Sequence, residues 1–152
     1  MANSQAMCTS FKGELLSATH NFSSANPAHT ANTADTFKAA LYLTTASLGA
    51  ATTAYSATGE VSGTGYSAGG VTVTNATNPT TGGTTGYWTP SASITYTSVT
   101  LSTAFDAVLI YNSSQSNKAV SVHTFGSQTV TAGTFALTMP TNAAGTALIN
   151  IA

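Results

Sequence analysis

Charged residues are scarce in this chain. Only seven of its 152 residues are charged, none of them is arginine, and the formal net charge is −1. A typical soluble domain is about 25% charged, whereas this one is 5% charged. Three lysines cannot neutralise a run of phosphates, so we expect neither nucleic-acid binding nor attachment to an anionic membrane surface. Hydroxyl groups take the place of charge, with 30 threonines and 18 serines.

Cysteine and long apolar runs are also missing. Cys8 is the single cysteine, which excludes a disulfide within the chain. No apolar stretch approaches the roughly 18 residues that indicate a membrane-spanning helix. The first eleven residues have neither the positive region nor the apolar region of a secretory signal, so we expect synthesis in the cytoplasm. The length is typical of one domain.

The beginning of the chain predicts one short helix over residues 4–19. Cys8, Phe11 and Leu15 follow the i, i+3, i+7 spacing of an apolar helical stripe, with Leu16 beside them. Such a short helix is marginal alone and must pack against its own domain or another subunit. We therefore predict a helical docking segment over residues 1–22. Residues 23–36 lack large apolar side chains over most of their length and are interpreted as a linker.

The remainder, residues 37–152, has the alternation typical of β-strands. Residues 105–112 are apolar on both faces, which predicts a central strand. In residues 93–101 the apolar phase shifts near Thr97, which indicates a β-bulge. Residues 78–83 and 113–117 are rich in turn formers. The other predicted strands are 36–44, 71–77, 84–89, 118–125, 128–131, 134–139 and 146–151.

Eight or nine short strands with frequent turns predict a mainly β fold. The expected architecture is an antiparallel β-sandwich, a jelly-roll-like domain or a small barrel, preceded by the short N-terminal helix. Threonine suits such a fold because β-branched side chains pack well on a pleated surface.

Few residues are suited to catalysis or metal binding. The histidines, His20, His29 and His123, are widely separated, and a zinc site needs three or four nitrogen or sulfur ligands. No Gly-x-Ser-x-Gly motif is present, although His123 and Asp106 could in principle serve a cryptic hydrolase. The glycine-rich stretch 63–69 lacks the lysine and helix of a phosphate loop. We therefore predict no catalytic residue, no metal site and no cofactor.

Several segments together resemble small virion structural proteins of tailed bacteriophages, of the capsid decoration or cement type. The resemblance covers most of the chain. Its segments are Phe11–Leu16 with His20–Phe22, Phe37–Tyr42, Thr53–Tyr55, Gly59–Tyr66 with Gly69–Gly70, Phe105–Asn112, Phe125–Gly126 and Gly133–Phe135.

This resemblance implies a non-enzymatic protein on the capsid exterior. It would bridge and stabilise subunits of the major capsid protein, and it would form a homo-oligomer, either a dimer or a trimer. A net charge near zero is compatible with such association. The candidate capsid or oligomer contacts are Cys8, Phe11, Leu15, Leu16, Phe22, Tyr66 and Trp88.

An alternative is a tail, collar or fibre component that binds host glycans. Tyr87 and Trp88 stand near a glycine-rich turn, and exposed aromatic rings are a common platform for sugars. The location of the protein in the virion distinguishes this reading from a capsid role.

Overall fold

The computed structural model describes residues 2–23, 33–75 and 77–152. The protein is mainly β with one short helix, and its strands pair antiparallel, as predicted. The elements in chain order are β1 (Ala6–Met7), α1 (Thr9–Leu16), β2 (Phe37–Leu43), β3 (Val71–Thr72), β4 (Thr80–Gly82), β5 (Thr85–Trp88), β6 (Ile94–Asn112), β7 (Lys118–Leu137) and β8 (Ile149–Ile151).

A five-stranded sheet in the order β1-β7-β6-β2-β3 contains the core. Its centre is the second half of β6, where Leu109 and Ile110 point to opposite faces and both are fully buried. The prediction of a central strand over residues 105–112 is therefore confirmed. On β2, Phe37 and Leu41 are also fully buried.

Two strands are much longer than the sequence suggested. β6 has 19 residues and β7 has 20, and they absorb the separate short strands predicted over 93–101, 105–112, 118–125, 128–131 and 134–139. The hairpin loop predicted at residues 113–117 does join them, with Ser116 and Asn117 at positive φ. The polar residues between these segments suggested that the strands end there. Both strands continue instead, because β6 and β7 pair with each other along their length.

The β6–β7 ribbon bends back on itself. Phe125 and Phe135 are ten positions apart on one strand, and ten residues of straight strand would span about 33 Å. Their ring centroids are nevertheless 5.3 Å apart, and both rings contact Phe105. Register shifts along the β6–β7 ladder accompany the bend. One shift lies between Tyr96 and Val99, which confirms the bulge predicted near Thr97.

A second sheet has three strands in the order β4-β5-β8. The turn predicted over residues 78–83 is displaced, because residues 80–82 form β4 and the turn falls at Gly83, where φ is +59°. The strand predicted over residues 71–77 is reduced to Val71–Thr72. Just before it, the backbone of Gly70 has φ +69°, and a Cβ there would collide with the carbonyl oxygen of Ala39, so this close approach requires glycine.

The N-terminal helix is shorter than predicted. It covers Thr9–Leu16 rather than residues 4–19, and Ala6–Met7 instead pair with Val122 and Ser121 of β7. Ala18, with φ 55°, terminates it. Cys8 and Phe11 belong to the same buried cluster as the sheet. Of the predicted linker, residues 24–32 lie outside the described residues, as does His29.

Candidate interaction surface

Residues 2–8, which precede helix α1, form a strap across the sheet. The Asn3 side chain donates to the Leu43 carbonyl (3.0 Å) and to Asp106 Oδ1 (2.6 Å), and its oxygen accepts from the Leu48 amide (3.1 Å). One amide side chain thus joins three separate segments. The strap places helix α1 at the edge of the sheet, where it contacts β7.

Cys8 lies at the junction of strap and helix and is fully buried. Burial, followed by the nearby Glu14 carboxylate, raises the pKa of its thiol to about 11. The thiol is therefore protonated at neutral pH and a poor nucleophile. The prediction that Cys8 contacts a partner is wrong for this folded form, because the side chain is covered by the chain itself.

Helix α1 has one buried side and one exposed side. The Phe11 ring is fully buried and contacts the rings of His20 (centroids 4.9 Å apart) and Phe22 (5.9 Å). Phe11 therefore fixes the helix internally, and its predicted role as a partner contact is also wrong. Leu15 is partly buried, whereas Leu16 is 93% exposed. Leu16 and Ile151, at 46%, are the exposed large apolar side chains among the described residues.

A polar network holds the end of the helix to the β6–β7 hairpin. Glu14 accepts from Lys118 Nζ at 2.6 Å and lies 2.8 Å from His20 Nε2. Burial acts to raise the pKa of the Glu14 carboxyl, but the hydrogen bonds from Lys118 and His20 outweigh it and hold that pKa below its usual 4.5. Glu14 is consequently ionised at neutral pH and serves as an anchor.

The network continues inward through a fully buried amide. Asn112 Nδ2 lies 3.0 Å from His20 Nδ1 and donates to Asp35 Oδ2 at 2.7 Å. The amide nitrogen of Asn112 can only donate hydrogen bonds. Nδ1 of His20 is therefore the acceptor of the bond from Asn112, and Nε2–H of His20 donates to Glu14. The two ring nitrogens of His20 thus join Glu14 of the helix to Asn112 of the hairpin, and the sequence offered no local sign of this arrangement.

Trp88 is buried in an aromatic cluster. Its side chain is 2% exposed, and its indole N–H donates to Asn75 Oδ1 (3.0 Å) and to the Thr77 carbonyl (2.9 Å). Phe22 packs against it with ring centroids 4.9 Å apart and stacks on Phe37 at 4.4 Å. Trp88 is thus neither a partner contact nor a sugar platform, which corrects both predictions, while Phe22 stays partly accessible.

Between α1 and the three-stranded sheet lies an open groove of about 660 Å³. No lysine or carboxylate is among the described residues that line it. These residues are Phe11, Leu15, His20, Asn21, Phe22, Ser23, Asn78, Pro79, Thr80, Thr81, Gly86, Tyr87, Trp88, Ile149 and Ile151. Of the two exposed large apolar side chains of the described residues, Ile151 lines this groove, whereas Leu16 stands on helix α1 outside its lining.

Tyr66 does not belong to this groove. Its hydroxyl donates to Glu60 Oε1 at 2.7 Å and accepts from the Leu41 amide at 3.0 Å. Tyr55 donates to the other oxygen of Glu60 at 2.6 Å. Burial, together with the Glu60 hydrogen bond, raises the pKa of Tyr66 above its ordinary range and that of Tyr55 to about 12. These groups fix the loop over the sheet, so a contact role for Tyr66 is not supported.

A serine–histidine pair exists, but it is enclosed. Ser121 Oγ lies 2.9 Å from His123 Nε2 on the same face of β7, and Ser121 is 2% exposed. Burial lowers the pKa of His123 to about 4. The Asp106 carboxylate accepts a hydrogen bond from the Asn3 side chain. A nucleophile needs a base, an orienting group and access to substrate, and the Ser121 hydroxyl is almost fully buried.

The four carboxylates of the chain are all bound internally. Glu14 meets Lys118 and His20, Asp35 accepts from Asn21, Asn112 and Gln115, Glu60 accepts from Tyr55, Tyr66 and Gly69, and Asp106 accepts from Asn3. Within the described ranges, no group of three His, Cys, Asp or Glu side chains could hold a metal ion. The carboxylates therefore act as structural anchors.

Comparison with known proteins adds no relative: no family model, no curated protein and no solved structure matches this chain. Among the residues that the structure describes, no helix has the length and apolar character to cross a membrane. What defines the protein is therefore its mainly β fold and the groove beside helix α1.

Proposed function

We propose that this protein is a non-enzymatic structural component of a bacteriophage virion, a capsid decoration or cement protein. It is made in the cytoplasm of the bacterial host, binds the capsid exterior, and bridges and stabilises subunits of the major capsid protein. Its domain is of the β-sandwich or jelly-roll kind, and the folding of the β6–β7 ribbon onto itself, with Phe125 against Phe135, supports that architecture.

One observation carries this proposal: helix α1 presents a large apolar side chain, Leu16, to solvent on a chain whose surface is otherwise rich in hydroxyl groups. Leu16 is 93% exposed on a helix whose other side is fixed by Phe11 and Glu14. Because the helix that carries Leu16 is already fixed, a partner that covers this side chain does not have to order the backbone. Leu16 on helix α1 is therefore the best-supported docking element for the capsid.

The mechanism would be mechanical rather than chemical. Each copy covers apolar surface on neighbouring capsid subunits, so separating them would expose that surface to water. A standard interface of about 800 Å² per partner is enough for stable binding. Many copies on one shell then add their contributions, because a bridged subunit must break several contacts at once.

Capsid binding by a Leu16→Asp variant tests the docking element. Purified heads that lack the protein are mixed with wild type, with Leu16→Asp, or with Thr103→Asp as a matched control at another exposed position. After sedimentation, we expect wild type and the control in the pellet and Leu16→Asp in the supernatant. Co-sedimentation of Leu16→Asp at the wild-type level would refute this docking element. Absence of wild type from the pellet would refute the capsid role.

The groove also favours a second candidate, a tail, collar or fibre component that binds host glycans. Tyr87 and the hydroxyls of Thr80 and Thr81 line it without any lysine or carboxylate. Sugars bind to aromatic faces flanked by neutral hydrogen-bonding groups. Glycan binding that Tyr87→Ala abolishes, together with density at the tail in a particle map, would support this candidate. Density on the head without glycan binding would exclude it.

A further inference from the structure

Strand β7 has one outer edge, and only its beginning is covered. Ala119 donates to the Thr53 carbonyl, and Val120 accepts from the Cys8 amide. Strand β1 then pairs with the next two residues, Ser121 and Val122. Within the described parts of the chain, no segment other than β6 pairs with β7 beyond Val122. A long edge with unpaired backbone groups is thus left open.

The last five residues of this edge are the most regular. Leu137 to Phe135 pair in unbroken antiparallel register with the start of β6, Leu137 opposite Ile94 and Phe135 opposite Tyr96. Between Phe135 and Gly133 the register shifts, and the extra residue of this bulge lies on β6, not on β7. Thr134 and Ala136 are exposed, whereas Phe135 is half-buried. We call residues Gly133–Leu137 the terminal leg of β7. Side-chain exposure alternates along this leg as in a normal strand, so it offers the geometry that an added strand needs.

The usual devices that protect an edge are absent from this leg. Natural edge strands carry charges, prolines or bulges that prevent pairing with another chain. No Asp, Glu, Lys or Arg follows Lys118 in the sequence, and the next proline is Pro140, beyond the strand. The one register shift within this segment inserts its extra residue on β6, so β7 itself carries no bulge between Gly133 and Leu137. The leg is therefore free to accept a partner strand.

We propose that Gly133–Leu137 pairs antiparallel with the same segment of a second copy of this chain. An added strand must bring its own open edge, and a second copy supplies one of equal length. Because the segment is uncharged, two identical edges meet without electrostatic repulsion. The inference specifies the homo-oligomer within the proposed function, although it concerns the isolated protein and needs no capsid.

A two-fold axis perpendicular to the sheet at Phe135 gives a complementary register. Phe135 then lies opposite its own copy, and Gly133 lies opposite Leu137, so a residue without a side chain faces a large one. On the other face Thr134 lies opposite Ala136. The two half-buried Phe135 rings would cover each other, which removes apolar surface from water.

Molecular mass in solution tests this pairing. Sedimentation equilibrium of wild type is expected to give twice the monomer mass of 15.2 kDa at high concentration. The double variant Thr134→Lys, Ala136→Lys places like charges across the junction and is expected to halve that mass. Thr95→Lys is the matched control, because Thr95 is exposed opposite Ala136 but lies one strand inward. It should remain dimeric.

Hydrogen exchange provides a second measurement that does not depend on a variant. Amides of Gly133–Leu137 that face the open edge should exchange more slowly as the wild-type concentration rises. A wild type that stays monomeric, or a dimer that the double variant leaves intact, would overturn the proposal. Neither measurement uses capsids. Failure of the strand-pairing proposal is therefore distinguishable from failure of the capsid role, which the Leu16→Asp experiment tests.

Discussion

Substitution of Phe11 measures how strongly the helix is held by its own domain. The Phe11 side chain is fully buried, with aromatic contacts to His20 and Phe22. Truncation of a buried phenylalanine to alanine typically costs about 3–5 kcal/mol, because apolar contact is lost and a cavity remains. In a chain of this size that corresponds to a decrease in Tm of about 6–20 °C.

Leu16→Ala on the same helix is the matched comparison. Leu16 is 93% exposed, and alanine and leucine have similar helix propensities, so we expect a change within about 0.5 kcal/mol. Urea denaturation of both variants, followed by far-UV circular dichroism, gives the two free energies of unfolding. Equal destabilisation by the two substitutions, or a negligible effect of Phe11→Ala, would refute the reasoning that α1 packs through Phe11.

Two further predictions concern the network and the backbone. Glu14→Gln should lower stability by about 1 kcal/mol at neutral pH, where Glu14 accepts charged hydrogen bonds at a partly exposed site. Since the folded-state pKa of Glu14 lies below its usual 4.5, this contribution is present above that value and disappears as pH falls through the lowered pKa. Urea midpoints over an acid pH series check it, and a difference that is constant with pH would contradict it. Gly13→Ala should stabilise by up to about 1 kcal/mol, because an added Cβ meets nothing within 4 Å. Gly70→Ala should destabilise by about 2 kcal/mol or more, because φ is positive and the Ala39 carbonyl lies in the way. Thermal melts that rank these two variants in the opposite order would disprove the backbone argument.

The sequence predicted those parts of the fold that depend on local patterns. Residues 105–112 are apolar on both faces, which identified the central strand, and the phase shift near Thr97 located a bulge. The extent of α1 was not predictable in this way. Ala6 and Met7 fall within the predicted helix of residues 4–19, but pairing with distant β7 makes them extended. Tertiary hydrogen bonds there outweigh a weak local preference.

The prediction of Trp88 as a partner contact was wrong for a related reason. Trp88 follows a glycine-rich turn, which suggested exposure, yet its indole N–H is satisfied in the interior because it donates to Asn75 and Thr77. The grouping of Tyr55 and Tyr66 around Glu60 was also missed. A lone carboxylate within a tyrosine- and glycine-rich loop is the signal that could have indicated it. Leu16 was identified correctly as apolar, but only the structure shows it exposed.

The internal binding of all four carboxylates affects how fast this protein meets a partner. Because the chain has only seven charged residues and a net charge of −1, the electric field outside the molecule is weak. Diffusing partners are therefore not steered, and association rates of about 10⁵–10⁶ M⁻¹s⁻¹ are typical of such neutral encounters. Complexes formed this way should be nearly indifferent to ionic strength, since there is little Coulomb attraction for salt to screen.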